Sequence, residues 1–204
     1  VRVVHYLWSA QIGGIERLVL DLALAQRDAG GIEPRVLLGS GTGPLLDRYR
    51  ASHLPLDVGG LRGGADVSPA RLRRLTGLFA GADVVHLHAF HPLVASAAAR
   101  SGARVVFTEH GAFGLGRDTF RERVKRWLKG RFVNGEVDFL TFNSEHTQRT
   151  ARSLYGLSGV PQEVVYNGTH VDEAPGAPPD PALMARCRGR LVVGAVSRFT
   201  RRKR

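Results

Sequence analysis

Val1, Val3, Val4, Tyr6 and Leu7 open the chain as a run of β-branched, aromatic and aliphatic residues, too dense for a strand with one solvated face. Such a run suits a buried parallel strand. After Gly13 and Gly14 the apolar period changes. Ile15, Leu18, Val19, Leu22 and Ala25 recur at helical spacing, which predicts a helix from near Gly14 to the Gly30-Gly31 pair. The same alternation continues. Further strands are predicted at 34–38, 53–58, 83–88, 104–110, 138–142 and 162–166, and helices at 45–51, 68–80, 92–100, 118–132 and 144–154. Ser68 reads as an N-cap with Pro69 in the first helical position, and Asn143-Ser144 as another cap.

Strands alternating with helices predict an α/β, Rossmann-like, doubly wound parallel sheet with right-handed crossovers and ligands at the carboxyl ends of the strands. Gly13, Gly14, His86, His88, His91, Glu109, His110, Ser144 and Asn167 all fall at such ends. A strand feeding a helix through two glycines lets a ligand approach the backbone closely, and the helix N-terminus favours a phosphate. The spacing is neither the dinucleotide glycine fingerprint nor a P-loop, so an ordinary tight turn is the competing reading.

From residue 171 prolines cluster, which neither a helix interior nor a central strand tolerates. We read 1–170 as one domain, 171–190 as a linker with a short helical piece, and 191–204 as a strand opening a second, truncated α/β domain. Cys187 is the only cysteine, no apolar run approaches a membrane span, and the N-terminus lacks a signal-peptide pattern, so a soluble, cytoplasmic protein is expected. The net charge of +11 admits an anionic partner. Nucleic acid is disfavoured, because aromatic residues are rarely interleaved with the basic ones and no helix-turn-helix or RRM signature is present.

Four segments, in order, resemble the N-terminal half of a family 4 glycosyltransferase of the two-domain GT-B fold: Gly13-Gly14-Ile15-Glu16, Asp83-Val84-Val85-His86-Leu87-His88, Phe107-Thr108-Glu109-His110-Gly111, and Asn143-Ser144-Glu145-His146-Thr147. Val165-Tyr166-Asn167-Gly168-Thr169-His170-Val171-Asp172 resembles the family's Pro-Asn-Gly-Val-Asp turn. Arg198 to Lys203 resembles its Gly-Arg-Leu-x-x-x-Lys segment, with Ser197 in place of the usual glycine and Arg204 where another is common. The resemblance implies a retaining hexosyltransferase that moves a sugar from a nucleotide diphosphate sugar to a saccharide, lipid-linked or small-molecule acceptor. It implies no metal and no cofactor beyond that co-substrate, since cationic side chains and a helix N-terminus neutralise the leaving diphosphate.

By this resemblance His110 is the catalytic-site histidine that contacts the transferred sugar. Gly13, Gly14, Arg198 and Lys203 would meet the donor diphosphate. The family's paired donor glutamates would lie beyond Arg204, so the chain alone is expected to be inactive. The rival reading is a noncatalytic sugar- or phosphate-binding module on the same fold, and a nicotinamide-dependent oxidoreductase is disfavoured by the missing fingerprint.

His86 and His88 put two imidazoles on one face of a strand, and with His91 they invite a metal reading. No matching carboxylate or cysteine set accompanies them, so acceptor contacts by His88 and His91, or loop hydrogen bonds, are preferred. Glu16 suits the first-turn dipole and is also an acceptor-binding candidate. Glu109 should point to the opposite face from His110. In the helix at 118–132, Phe120, Val124, Trp127, Leu128 and Phe132 form a stripe read as core-facing, with a solvated basic face. The sharper alternative is docking to an anionic membrane at its inner face, where a lipid-linked acceptor would be met.

Overall fold

The computed structural model describes residues 1–63, 68–111, 119–168, 178 and 180–193. The chain divides into a first unit, Val1–Gly168, and a second, Thr169–Arg204. In the first unit β1 (Arg2–Leu7) leads through the double glycine into α1 (Gly14–Ala29). Then come β2 (Glu33–Leu38), α2 (Leu46–Ala51), β3 (Leu56–Val58) and α3 (Pro69–Phe79). The second half runs β4 (Val84–Leu87), α4 (Pro92–Ala99), β5 (Arg104–Glu109), α5 (Phe120–Glu136), β6 (Phe139–Phe142), α6 (Glu145–Tyr155) and β7 (Gln162–Val164).

The seven strands form one parallel sheet in the order β3-β2-β1-β4-β5-β6-β7. The chain winds outward from β1 to β3, then returns to lay β4 on the other side of β1. The strand order therefore reverses between β1 and β4, and that is where open α/β sheets bind ligands.

Pairing fixes which side chains share a face. His5 stands beside His86, His86 beside Val106, and Thr108 beside Thr141. Alternation then puts His5, His86, Thr108 and Thr141 on one face, and Tyr6, Leu87, Phe107 and Leu140 on the other. The second set packs on Leu75 and Phe79 of α3 and Val94 and Ala97 of α4. On the first face, Val19, Leu20 and Ala23 of α1 and Tyr49 of α2 cover Leu7, Val36 and Leu38. Each such large side chain taken fully out of water contributes roughly 1.5–3 kcal/mol.

The loop leading to Gly13 is pinned from the side. Ala10 donates its N–H to the Thr42 carbonyl at 2.9 Å and accepts from Leu45 N at 2.9 Å. Gly43, at φ 129°, lies so close that a Cβ would stand 2.2 Å from the Ala10 carbonyl oxygen, so only glycine fits there.

Three expectations are corrected. Ser68 holds the N-cap position of α3, but its hydroxyl makes no capping bond there. β7 stops at Val164, two residues early, and Val165 and Tyr166 are exposed. The third concerns the stripe on α5. Phe120, Val124, Trp127 and Leu128 are exposed rather than core-facing, and Phe120 retains 82% of its accessible surface. The helix instead docks through its later turns, where Gly130 and Val133 are buried and Phe132 is packed against the core.

In the second unit α7 (Pro181–Cys187) is capped by Asp180, whose carboxylate accepts from Ala182 N at 2.8 Å. The strand expected at 191–197 is not seen over 191–193, and the rest of that segment lies outside the described residues.

Candidate functional site

The carboxyl ends of β4 and β5 open into a cavity of about 510 Å³, bounded by Ile15 at the start of α1, Pro92 at the start of α4, and side chains of α5 and α6. That volume suits a small-molecule ligand, for which sites of roughly 300–1,000 Å³ are usual. His88, His91, Glu109 and His110 all line it.

His110 follows β5 directly, and its backbone is held by Asn143, whose amide donates to the His110 carbonyl at 2.9 Å. Asn143 is in turn fixed by Thr147, whose hydroxyl donates to its side-chain oxygen at 2.8 Å. The Asn143-Ser144 segment thus does two jobs. Ser144 caps α6 by accepting from Thr147 N at 3.1 Å, and Asn143 positions the histidine.

The His110 ring joins a buried chain of imidazoles. Its Nε2 lies 3.0 Å from His88 Nδ1, His88 Nε2 lies 3.1 Å from His5 Nδ1, and His5 Nε2 lies 2.7 Å from Gln26 Oε1. His110 Nδ1 is buried and has no hydrogen-bond partner among the described residues. Loss of hydration holds all three rings below the ordinary imidazole range. His88 is held well below it, and His110 is pushed down to about 4. All three are therefore neutral near pH 7.

His86 takes a separate path, with Nε2 2.7 Å from the Thr108 hydroxyl, which is itself 2.6 Å from Thr141 Oγ1. His5, His86 and His88 each place one ring nitrogen within 4.8 Å of the others, the kind of spacing a metal ion would need. Hydrogen bonds already engage ring nitrogens of all three, so a metal would have to displace them.

His91 has a different task. It is the N-cap of α4, accepting from Leu93 N at Nδ1 (3.2 Å), with Nε2 3.0 Å from the Gly63 carbonyl and the ring stacked on Trp8. Both nitrogens of His88 and of His91 are thus engaged within the protein. The expected acceptor contacts would have to reach rings whose polar atoms are already bonded.

Glu109 lies on the opposite face of β5 from His110 but still reaches the cavity wall. There it is buried and pairs with Lys129 of α5. The Lys129 ammonium lies over the rings of Phe107 and Tyr155, at 5.0 and 4.5 Å from their centroids. Burial, with the Glu109 charge beside it, pushes the Tyr155 phenol above its ordinary range. Lys125 and Arg126 bring further positive charge to the cavity, and Glu122 pairs with Lys125 at 2.7 Å.

Gly13 is the N-cap of α1, with extended backbone and no side-chain cap. Neither Gly13 nor Gly14 has a conformation that demands glycine. At Gly14 a Cβ would meet nothing, and at Gly13 only the mobile carboxylate of Glu16, which folds back over the helix start. Arg198 and Lys203 lie outside the described residues.

The family model described as Glycosyltransferase Family 4 matches residues 12–173. The chain belongs to glycosyltransferase family 4. No curated protein sequence matches it. Solved structures add the fold of this family 4 domain. Anabaena Alr3699/HepE in complex with UDP superposes with a TM-score of 0.63 at 15% identity, over 83% of this chain and 44% of that one. The same protein with UDP and glucose gives 0.63 at 16%, over 82% and 44%. A glycosyltransferase from Rickettsia africae ESF-5 gives 0.60 at 16%, over 91% and 48%. The family 4 chain described here thus spans about half the length of these structures, and its sheet is the Rossmann-like N-terminal half of a GT-B fold.

Sequence reasoning placed His110, His88 and His91 at the carboxyl ends of the strands, and the cavity lies there. It missed His5 and Gln26, and it set Lys129 on the solvated basic face of α5, whereas the structure buries it against Glu109. For His5 there was a signal, a polar residue inside an otherwise apolar buried strand. For Gln26 and Lys129, on the faces of amphipathic helices, there was none.

Proposed function

We propose that this family 4 domain is the acceptor-side half of a retaining hexosyltransferase, which transfers a sugar from a nucleotide diphosphate sugar to an acceptor held in the cavity beside His110. The observation that carries the reading is the His110 ring itself. It lines a ligand-sized cavity at the carboxyl end of β5, and its buried Nδ1 has no partner among the described residues. UDP in the HepE structures supports a nucleotide-linked donor.

In this reading the exposed start of α1 receives the donor diphosphate. Gly13 and Gly14 allow close approach once the Glu16 carboxylate, which folds back over Gly13, swings aside, and the helix dipole offsets the leaving charge. Arg198 and Lys203 would add cationic neutralisation without a metal. His88 and His91 act through geometry, one by orienting His110 and the other by fixing the start of α4. Glu16 lies beside the diphosphate position and would meet an acceptor hydroxyl approaching α1.

The exposed Phe120, Trp127 and Leu128 of α5, set among Arg121, Arg123, Lys125 and Arg131, support peripheral attachment to an anionic membrane on the cytoplasmic side. No helix among the described residues is long and apolar enough to cross one.

The test is incubation of the full-length gene product with UDP-, GDP- and ADP-sugars, following release of nucleoside diphosphate with and without acceptor extracts. Release from one donor, with the anomeric configuration kept in the product, is expected. No release from any donor would favour the noncatalytic sugar- or phosphate-binding module.

A further inference from the structure

The histidines behind His110 form a directional chain, and its direction fixes which nitrogen of His110 carries the proton. Each neutral imidazole carries one ring proton, so a ring bonded through both nitrogens must donate at one and accept at the other. His5 and His88 are bonded in that way, in the series Gln26–His5–His88–His110. The rings are too well buried to carry a second proton near neutral pH, so the protons of the whole series must all point the same way.

Two directions exist, and the near end decides between them; the Gln26 amide can turn its oxygen or its nitrogen to His5, and its placement here agrees with that choice. At the far end Gln26 presents its carbonyl oxygen to His5 Nε2 at 2.7 Å, so His5 donates there and its Nδ1 accepts. His88 Nε2–H then donates to His5, and His110 Nε2–H donates to His88 Nδ1. At the near end this leaves His110 Nδ1 as a bare lone pair. The reverse direction would leave a buried N–H at His110 with no acceptor among the described residues, and an orphaned buried donor is rarer and costlier than an under-used acceptor.

We propose that Gln26, His5 and His88 are positioning residues that lock His110 in the Nε2–H tautomer, which leaves its buried Nδ1 an acceptor and never a donor. The side chain that sets this chemistry, Gln26, lies in the last turns of α1, three hydrogen bonds away from the atom it controls. The role of His110 toward a sugar rests on the transferase reading above. The tautomer does not, and it can be measured without donor or acceptor.

The experiment is long-range ¹H–¹⁵N correlation NMR on the ¹⁵N-histidine-labelled 204-residue protein near neutral pH, with His110→Gln used to assign the His110 ring. The expected result is a bare-nitrogen shift for Nδ1 and a protonated-nitrogen shift for Nε2 on all three rings. Two variants at the half-buried Gln26 then test control. Gln26→Glu keeps an acceptor facing His5 and should keep the pattern. In Gln26→Lys the ammonium only donates, so the pattern should invert through His5 and His88 and move the His110 proton to Nδ1. A protonated Nδ1 on His110 in the wild type would overturn the proposal. So would a folded Gln26→Lys protein with its His110 ring unchanged. A failed transfer assay with this pattern intact would count against the transferase reading alone.

Discussion

The carboxylate of Glu109 and the ammonium of Lys129 pair inside the cavity wall, with Lys129 lying over the rings of Phe107 and Tyr155. Glu109 keeps 7% of its side-chain surface and Lys129 15%, so neither charge is well solvated. In such a pair the loss of one member costs more than the loss of both, because the survivor is left buried and uncompensated. Lys129→Met should therefore lower unfolding stability by about 3 kcal/mol, and Glu109→Gln with Lys129→Met should recover most of it. Urea denaturation measures this. A single variant within about 0.5 kcal/mol of wild type would show that the pair is solvated and replaceable.

The buried histidines make stability depend on pH in a stated direction. Their folded pKa values lie below the unfolded value, so below pH 6.5 the unfolded chain binds protons that the folded chain refuses. Stability should be complete above about pH 6.5 and fall as pH drops toward 4, where His110 begins to charge. The slope should approach about 1.4 kcal/mol per pH unit for each histidine held neutral. His88→Gln should flatten it. Thermal melts across pH 4 to 7 on both proteins check this, and equal slopes would contradict it.

Two glycines in α5 should respond with opposite signs. A Cβ at Gly130 would stand 2.3 Å from the Tyr155 carbonyl oxygen, where α5 crosses α6. Gly130→Ala should therefore destabilise by about 1–3 kcal/mol through overpacking. At Gly135 a Cβ would meet nothing within 4 Å, so Gly135→Ala should gain up to about 1 kcal/mol of helix propensity. Chemical denaturation of the pair separates the effects, and a neutral Gly130→Ala would mean the two helices do not pack this closely.

The exposed face of α5 gives a binding prediction. Sedimentation with vesicles should increase with the fraction of anionic lipid and weaken with salt. Trp127→Ser with Leu128→Ser should lose most of that binding without loss of stability, since both side chains already face water. Equal sedimentation with neutral and anionic vesicles would remove the membrane from the account.

Local order was legible in the chain because dense β-branched runs such as Val84-Val85 and Val105-Val106 leave little choice but a buried strand, and their alternation with helical periods leaves little choice but a parallel sheet. His110 was legible through its place at a strand end and its family motif. The rest depended on partners distant in sequence. A helical stripe such as Phe120, Val124, Trp127 says that a face is apolar but not what it faces, and here it faces water. That Glu109 meets Lys129, 20 residues on, or that His5 meets His88, 83 residues on, is a property of strand register and helix docking. No local pattern encodes either.

The central claim is that His110 and its cavity form the site of sugar transfer. The most direct measurement is the kcat of sugar transfer by the full-length gene product, wild type against His110→Ala, with thermal melts of both. The account predicts a loss on the order of a hundredfold in kcat with the fold retained. An active wild type and a folded His110→Ala enzyme of equal kcat would contradict it.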